Sequence, residues 1–182
     1  MSKLKQMIFC ALFAALTAIL SQIAVPIGAI PINMVHISIF VASGILGGKY
    51  ATISQVIFLI LGIIGIPVFS GFNSGLGYLT GPTGGFIMGY ISCAWIVGEG
   101  ISKVGIKSNL SILIMVAGLA SSYMLGVSWF MYVTEADIIT ALLTCVFPFL
   151  LGDAVKVIIS RYIILRLHSL NNVPSYANPL IN

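Results

Sequence analysis

The stretch NLSILIMVAGLASSYMLGVSWFMYV, residues 109–133, decides the fold, and it contains no acidic or basic residue. Its hydrophobic residues do not alternate with a period of two, which is typical of a helix and not of a strand in a membrane barrel. About 20 consecutive apolar residues cross the hydrocarbon core of a bilayer. The stretch therefore predicts a transmembrane helix.

The whole chain has the same character. Of its 182 residues, 59% are hydrophobic and 7% are charged, with a mean hydropathy of +1.15. A soluble domain carries about 25% charged residues, so the composition favours lipid as the solvent. We expect an all-α integral membrane protein forming a single domain over 1–182, with no room for a soluble catalytic domain. Six transmembrane helices are expected at roughly 4–25, 32–47, 50–66, 85–101, 109–133 and 137–168.

The last expected span and the tail after it, residues 137–182, differ from the other expected spans. The last expected helix is longer than a bilayer requires, and Pro148 is expected to kink it. The tail 169–182 is polar and is expected to fray.

The basic residues predict the orientation. With six spans, both termini lie on the same side of the membrane. The connections after the second and fourth helices lie on that side too. Seven of the eight basic residues fall on that side: Lys3, Lys5, Lys49, Lys103, Lys107, Arg161 and Arg166. The opposite connections, 26–31, 67–84 and 134–136, contain no Lys or Arg. The positive-inside rule then predicts cytoplasmic termini. The net charge of +4 follows from this topology and gives no evidence for nucleic-acid binding.

Two charged residues lie within the last expected span. Asp153 and Lys156 are three residues apart, so their side chains share one face of a helix. Charges inside a membrane are costly and mark functional sites. One interpretation is a polar floor of a binding cavity, with Gly152 allowing a ligand to approach closely. The alternative is a neutralised ion pair that only holds helices together.

The longest connection, PVFSGFNSGLGYLTGPTG (67–84), is the second candidate for function. It is rich in glycine but too apolar for a flexible linker. It could form a wall of an outward-facing pocket, or it could be a tight connection that buries itself. In the first case its aromatic residues would be apolar walls and its polar residues ligand contacts: Phe69, Phe72, Tyr78, Asn73, Ser74 and Thr83.

Small residues on the first helix suggest close helix contacts. Ala11 and Ala15 are four residues apart, and so are Ala14 and Ala18. Such spacing suits either internal packing or docking of another membrane protein.

His36 and His168 have no neighbouring ligand cluster, so no metal site is predicted. The chain contains no phosphate loop, GxSxG or HExxH motif, and no enzyme or cofactor is predicted.

Two runs resemble a known family. GIPVFSGFNSGLGYLTGPTGGFIMGY (65–90) and PFLLGDAVK (148–156) are similar to the biotin-binding substrate-capture subunits, the BioY family, of energy-coupling-factor vitamin transporters. The similarity covers nearly the whole chain. It implies capture of biotin from outside a bacterial cell membrane, with the pocket on the outer side. It also implies a separate membrane coupling protein with two ATPases that drives release inward.

The resemblance also implies roles for particular residues. Asp153 and Lys156 would hold the ureido head of biotin, and Asn73 would add a polar contact. Phe69, Phe72 and Tyr90 would flank the thiophane ring and the valeryl chain. Ala11 and Ala15, or Ala14 and Ala18, would form the face that docks on the coupling protein.

Three other functions remain open on the sequence. The chain could capture another vitamin with the same fold, although such subunits lack the combination of GPTGG and GDxxK. A passive channel would need a continuous polar path, and the cytoplasmic halves of the spans offer few polar groups. An intramembrane enzyme is disfavoured because no nucleophile and base, or metal ligands, are brought together by a motif.

Overall fold

The computed structural model describes residues 3–27 and 30–169, and it is a bundle of helices. The helices are α1 (Lys3–Gln22), α2 (Val35–Ile63), α3 (Leu76–Leu79), α4 (Gly84–Val104), α5 (Leu110–Thr134), α6 (Ile138–Cys145) and α7 (Leu150–Ser169). Four of them, α1, α2, α4 and α5, are long and apolar enough to cross a membrane, and the bent pair α6–α7 makes a fifth candidate. Of the predicted polar tail, only Ser169 lies within the described residues.

Helix α2 reverses direction in the middle. Gly47 interrupts it with φ 73° and ψ 174°, a backbone conformation that only glycine adopts without strain. Thr17 Oγ1 lies 2.9 Å from Ser38 Oγ and accepts a hydrogen bond from Gln55 Nε2 at 3.3 Å. In one straight helix, Ser38 and Gln55 would be about 25 Å apart. The two halves, 35–46 and 48–63, therefore lie side by side against α1.

Helix α4 packs between α2 and α5, and glycines let the backbones approach closely. A Cβ added at Gly98 would lie 2.4 Å from the Cα of Gly48, and one added at Gly89 would lie 2.8 Å from the Cα of Ser122. Ser43 and Ser122 donate across these contacts to the carbonyl oxygens of Ala94 and Gly89. Small residues and short polar side chains are what helix contacts in lipid require.

The connection after α1 is a β-hairpin and not a simple link. Strands β1 (Ala24–Ile27) and β2 (Ile30–Asn33) pair antiparallel, with Pro26 opposite Pro31. The first span was expected to end at 25 and the second to begin at 32. Both boundaries were wrong by about three residues, because α1 ends at Gln22 and α2 begins at Val35. Proline interrupts helical hydrogen bonding, so α1 ends before Pro26 and α2 begins after Pro31.

Two further boundaries differ from the sequence prediction. The helix expected over 50–66 ends earlier, at Ile63. Two residues later Gly65, with φ 100°, begins a turn toward Pro67. The last expected helix is broken between Cys145 and Leu150, and α6 and α7 meet at 48°. Pro148 lies in this break, so the predicted kink is confirmed.

Candidate functional site

A cavity lies at the end of the bundle where the β-hairpin, the 67–84 loop and the first turns of α4 meet the α6–α7 break. Its volume is about 500 Å³, including the part that is open to solvent. The polar residues that line the cavity are Asn33, His36, Ser70, Thr83, Asp153 and Lys156. The aromatic residues that line it are Tyr78, Phe86, Tyr90, Tyr123 and Phe149.

Asp153 and Lys156 form a buried ion pair at this cavity. Lys156 Nζ donates to Asp153 Oδ1 at 2.8 Å, and the two residues are only 3% and 4% exposed. The Tyr123 hydroxyl donates to the other carboxylate oxygen, Oδ2. Asp153 in the first turn of α7 and Lys156 in the second lie on one face of the helix, as their spacing predicted. A buried pair of this kind is costly to desolvate, so stability alone is a weak reason for its presence.

Within the part of the chain that the structure describes, the hydrogen-bonding capacity of both charged groups is only partly used. A carboxylate has about four acceptor positions and an ammonium has three N–H donors. From residues in the ranges 3–27 and 30–169, Asp153 accepts two hydrogen bonds, and Lys156 donates one. The pair can therefore accept N–H groups and donate to an oxygen at the same time.

Aromatic rings form the wall beside the pair. Tyr90 is 6% exposed, and its hydroxyl lies 3.4 Å from Asn33 Nδ2. The His36 ring meets the Tyr90 ring edge-on, with centroids 5.4 Å apart. The Phe86 and Tyr123 rings make a second edge-on pair at 6.3 Å. Such a wall suits the apolar part of a small ligand.

The residues of the 67–84 loop do not all face the cavity. Ser70, Tyr78 and Thr83 line it. Phe69 is buried behind it, where its ring stacks on Tyr78 at a centroid distance of 5.4 Å. Phe72 is 72% exposed.

Six further predicted residues lie apart from the lining. Asn73 donates to the carbonyl oxygen of Ser70 at 2.8 Å, within the loop. Gly152 has no heavy atom within 4 Å of an added Cβ, so there is room beside it. On α1, Ala11 and Ala15 are exposed, whereas Ala14 is 1% exposed and Ala18 packs against the core.

Sequence reasoning did not single out Asn33 and His36 as site residues. Asn33 donates to Ser70 Oγ at 3.0 Å, and it lies at the end of strand β2, whose last two residues were expected to begin a helix. Among the described residues, His36 Nε2 is a buried nitrogen that has no hydrogen-bond partner. A histidine at the start of an apolar span was the available signal, because polar groups in a membrane span are costly.

A helical bundle with membrane-length helices and a cavity that encloses an ion pair defines a membrane protein that binds a small ligand. The sequence places it more narrowly. The model of the BioY family matches residues 1–172, and the chain belongs to that family.

Relatives and a solved structure agree with this assignment. The probable biotin transporter BioY of Pyrococcus horikoshii is 36% identical over 154 residues, which cover 85% of this chain and 90% of the relative. The biotin transporter BioY of Thermotoga maritima is 32% identical over 92% of this chain and 98% of its own length. A crystal structure of the S-component for biotin from an ECF-type ABC transporter superposes with a TM-score of 0.85, at 30% identity and 92% coverage of both chains.

Proposed function

We propose that this chain captures biotin and serves as the substrate-binding subunit of an energy-coupling-factor transporter. The observation that carries the proposal is the buried Asp153–Lys156 pair, which lies against a partly open cavity in a chain of the BioY family. The Thermotoga maritima relative is a biotin transporter, and the similar crystal structure is an S-component for biotin. The expected activity is binding without turnover.

The chemistry of the cavity supports this ligand. A ureido ring offers two N–H donors and one carbonyl acceptor, which complement a carboxylate and an ammonium. Asp153 would accept the N–H groups, and Lys156 would donate to the carbonyl oxygen. Tyr90 would contact the apolar thiophane ring, and Thr83 would offer a hydroxyl to the ligand.

The remaining loop residues are proposed to act at the mouth of the cavity. Phe72 and Asn73 are exposed beside it, so they would reach a bound ligand only after the loop moves. Phe69 would support the wall from behind, through its stacking on Tyr78. Gly152 is not among the lining residues, but it lies next to Asp153 and would let a ligand approach that carboxylate closely.

We propose six membrane crossings, with both termini in the cytoplasm of a bacterial cell and the cavity on the outer side. The side-by-side halves of α2 supply two crossings, and the bent pair α6–α7 supplies one. The end of the bundle away from the cavity carries basic residues. There Arg161 donates to the carbonyl oxygen of Lys107 at 3.3 Å, and Lys49 follows the reversal at Gly47. The positive-inside rule assigns that end to the cytoplasm.

The proposed partners are a membrane coupling protein and two ATPase subunits. Ala11 and Ala15 would form the docking face, because both are exposed on α1. Ala14 is buried against the core and Ala18 packs beside it, which leaves the Ala11 side of the helix for a partner. Small residues on an exposed face let a second helix approach closely.

The decisive experiment is calorimetric titration of the detergent-purified chain with biotin, with riboflavin and thiamine as controls. One-to-one binding of biotin alone is the expected result. Binding of a different vitamin would redirect the proposal to a sister subunit. No binding of any of the three by a folded sample would refute it.

A further inference from the structure

Gln22, the last residue of α1, lies outside the cavity and is bonded to the backbone of the loop that helps to form it. Its Nε2 lies 3.1 Å from the carbonyl oxygen of Phe69 and 3.4 Å from that of Pro67. Its Oε1 accepts from the backbone N–H of Phe72 at 2.9 Å. Both ends of one amide side chain therefore hold the segment 67–72. Beside it, the Ser21 hydroxyl donates to the carbonyl oxygen of Val68.

The segment that Gln22 holds is a tight and strained turn. Gly71 and Phe72 have φ of 73° and 59°. A bulky residue such as Phe72 rarely adopts a positive φ, so surrounding contacts must maintain it. Within the turn, Phe69 N donates to the carbonyl oxygen of Asn73 at 3.0 Å. The bond from Phe72 N to Gln22 fixes the strained residue itself.

This turn sets the position of one wall of the cavity. Ser70 lies in the middle of it, and its hydroxyl accepts from Asn33 Nδ2 at 3.0 Å. The Tyr78 hydroxyl donates to the carbonyl oxygen of Ser70 at 3.4 Å. All three residues line the cavity, whereas Gln22 does not. A change at Gln22 would thus reach the ligand only through the loop.

We propose that Gln22 is a positioning residue that ties the binding-site loop to α1 and slows escape of the ligand. The inference rests on the proposed capture of biotin. The contacts of Gln22 would also connect the loop to the proposed docking face, because α1 carries the exposed Ala11 and Ala15. A partner seated on α1 would be connected to the wall of the site through the side chain at the end of that helix.

The test is Gln22→Ala in the full chain, with Gln6→Ala as the matched control. Gln6 lies on the same helix near its other end, where its Oε1 accepts from the Tyr50 hydroxyl at 2.7 Å. Loss of the bonds to the loop should raise the dissociation rate of radiolabelled biotin about tenfold. The association rate should change little, since binding differences arise mainly in dissociation. Gln6→Ala should leave both rates unchanged.

Hydrogen exchange provides a readout that does not need biotin. Peptides covering 67–79 should exchange faster in Gln22→Ala than in wild type, and those from α4 and α5 should not. Gln22→Glu should give an intermediate result, because it keeps the acceptor for Phe72 N but turns a carboxylate toward two carbonyl oxygens. It also serves as the second variant if the alanine protein does not fold.

The outcomes separate the two proposals. If wild type binds no biotin but the variant still frees 67–79, the capture function fails and the tie stands. If biotin binds and Gln22→Ala changes neither the dissociation rate nor the exchange of 67–79, the tie is refuted. A uniform rise in exchange across the whole chain would also refute it, because Gln22 would then only stabilise the fold.

Discussion

Asp153→Asn is the most informative single substitution, because it keeps the shape of the side chain and removes its charge. In the wild-type protein both carboxylate oxygens accept, one from Lys156 and one from Tyr123. An amide has only one oxygen, so its NH2 group must face one of these two donors. The variant therefore leaves a buried ammonium without its counter-charge. The amide can keep its oxygen toward Lys156 only by turning its NH2 group toward Tyr123, whose hydroxyl must then accept instead of donate.

The expected effects follow from these contacts. Breaking one side of a buried ion pair costs about 3–5 kcal/mol of folding stability. For biotin, the amide removes at least one charge-assisted hydrogen bond to the ureido ring, which contributes about 1.5–3 kcal/mol. That range corresponds to a loss of affinity of about 10- to 150-fold.

Calorimetric titration measures the affinity, and thermal unfolding followed by the fluorescence of the two tryptophans measures the stability. Asp137→Asn is the control, since Asp137 caps the exposed start of α6 and does not line the cavity. The double variant Asp153→Asn with Lys156→Met should recover much of the lost stability, because the unpaired charge is gone. It should bind biotin no more tightly than Asp153→Asn does. A folded Asp153→Asn protein with unchanged affinity would refute the assignment of the ureido site to this pair.

Three further predictions concern the fold, the partner and the orientation. Gly47→Ala should destabilise the protein by about 1–3 kcal/mol, because its φ and ψ are accessible only to glycine; an unchanged melting temperature would contradict the reversal of α2. Ala15→Trp should preserve biotin binding but abolish uptake in cells that contain the coupling module, because Ala15 is exposed on the proposed docking face. Ala14→Trp should instead impair folding, because Ala14 is buried. Normal uptake by Ala15→Trp would exclude this docking face. A membrane-impermeant maleimide should label Thr80→Cys in intact cells and Lys107→Cys only after permeabilisation, and the reverse pattern would invert the proposed topology.

The long helices α4 and α5 were predictable because each is an apolar run that ends beside a glycine or a charged residue. The expected ranges 85–101 and 109–133 differ from α4 and α5 by at most three residues at either end. The β-hairpin was missed because its strands are four residues each, too short for a periodic pattern to separate them from the flanking helices.

The cavity was harder to predict than the helices. Asp153 and Lys156 were found because a short spacing on one helix fixes their contact, whatever the rest of the fold does. The contacts of Asn33 with Ser70 and Tyr90 join residues 37 and 57 positions apart. No local pattern encodes such contacts, since they depend on how the β-hairpin and the loop fold over the bundle.

The reversal at Gly47 has a consequence for how the chain enters the membrane. Residues 35–63 would form one straight helix of about 43 Å, long enough to cross the bilayer once. A single crossing would translocate every later connection to the wrong side, including the one that contains Lys107. Neither half alone reaches the length of about 20 residues at which a segment inserts independently. In the proposed topology the insertion machinery must therefore accept the two halves as a pair, with Lys49 retained on the cytoplasmic side as the anchor of that pair.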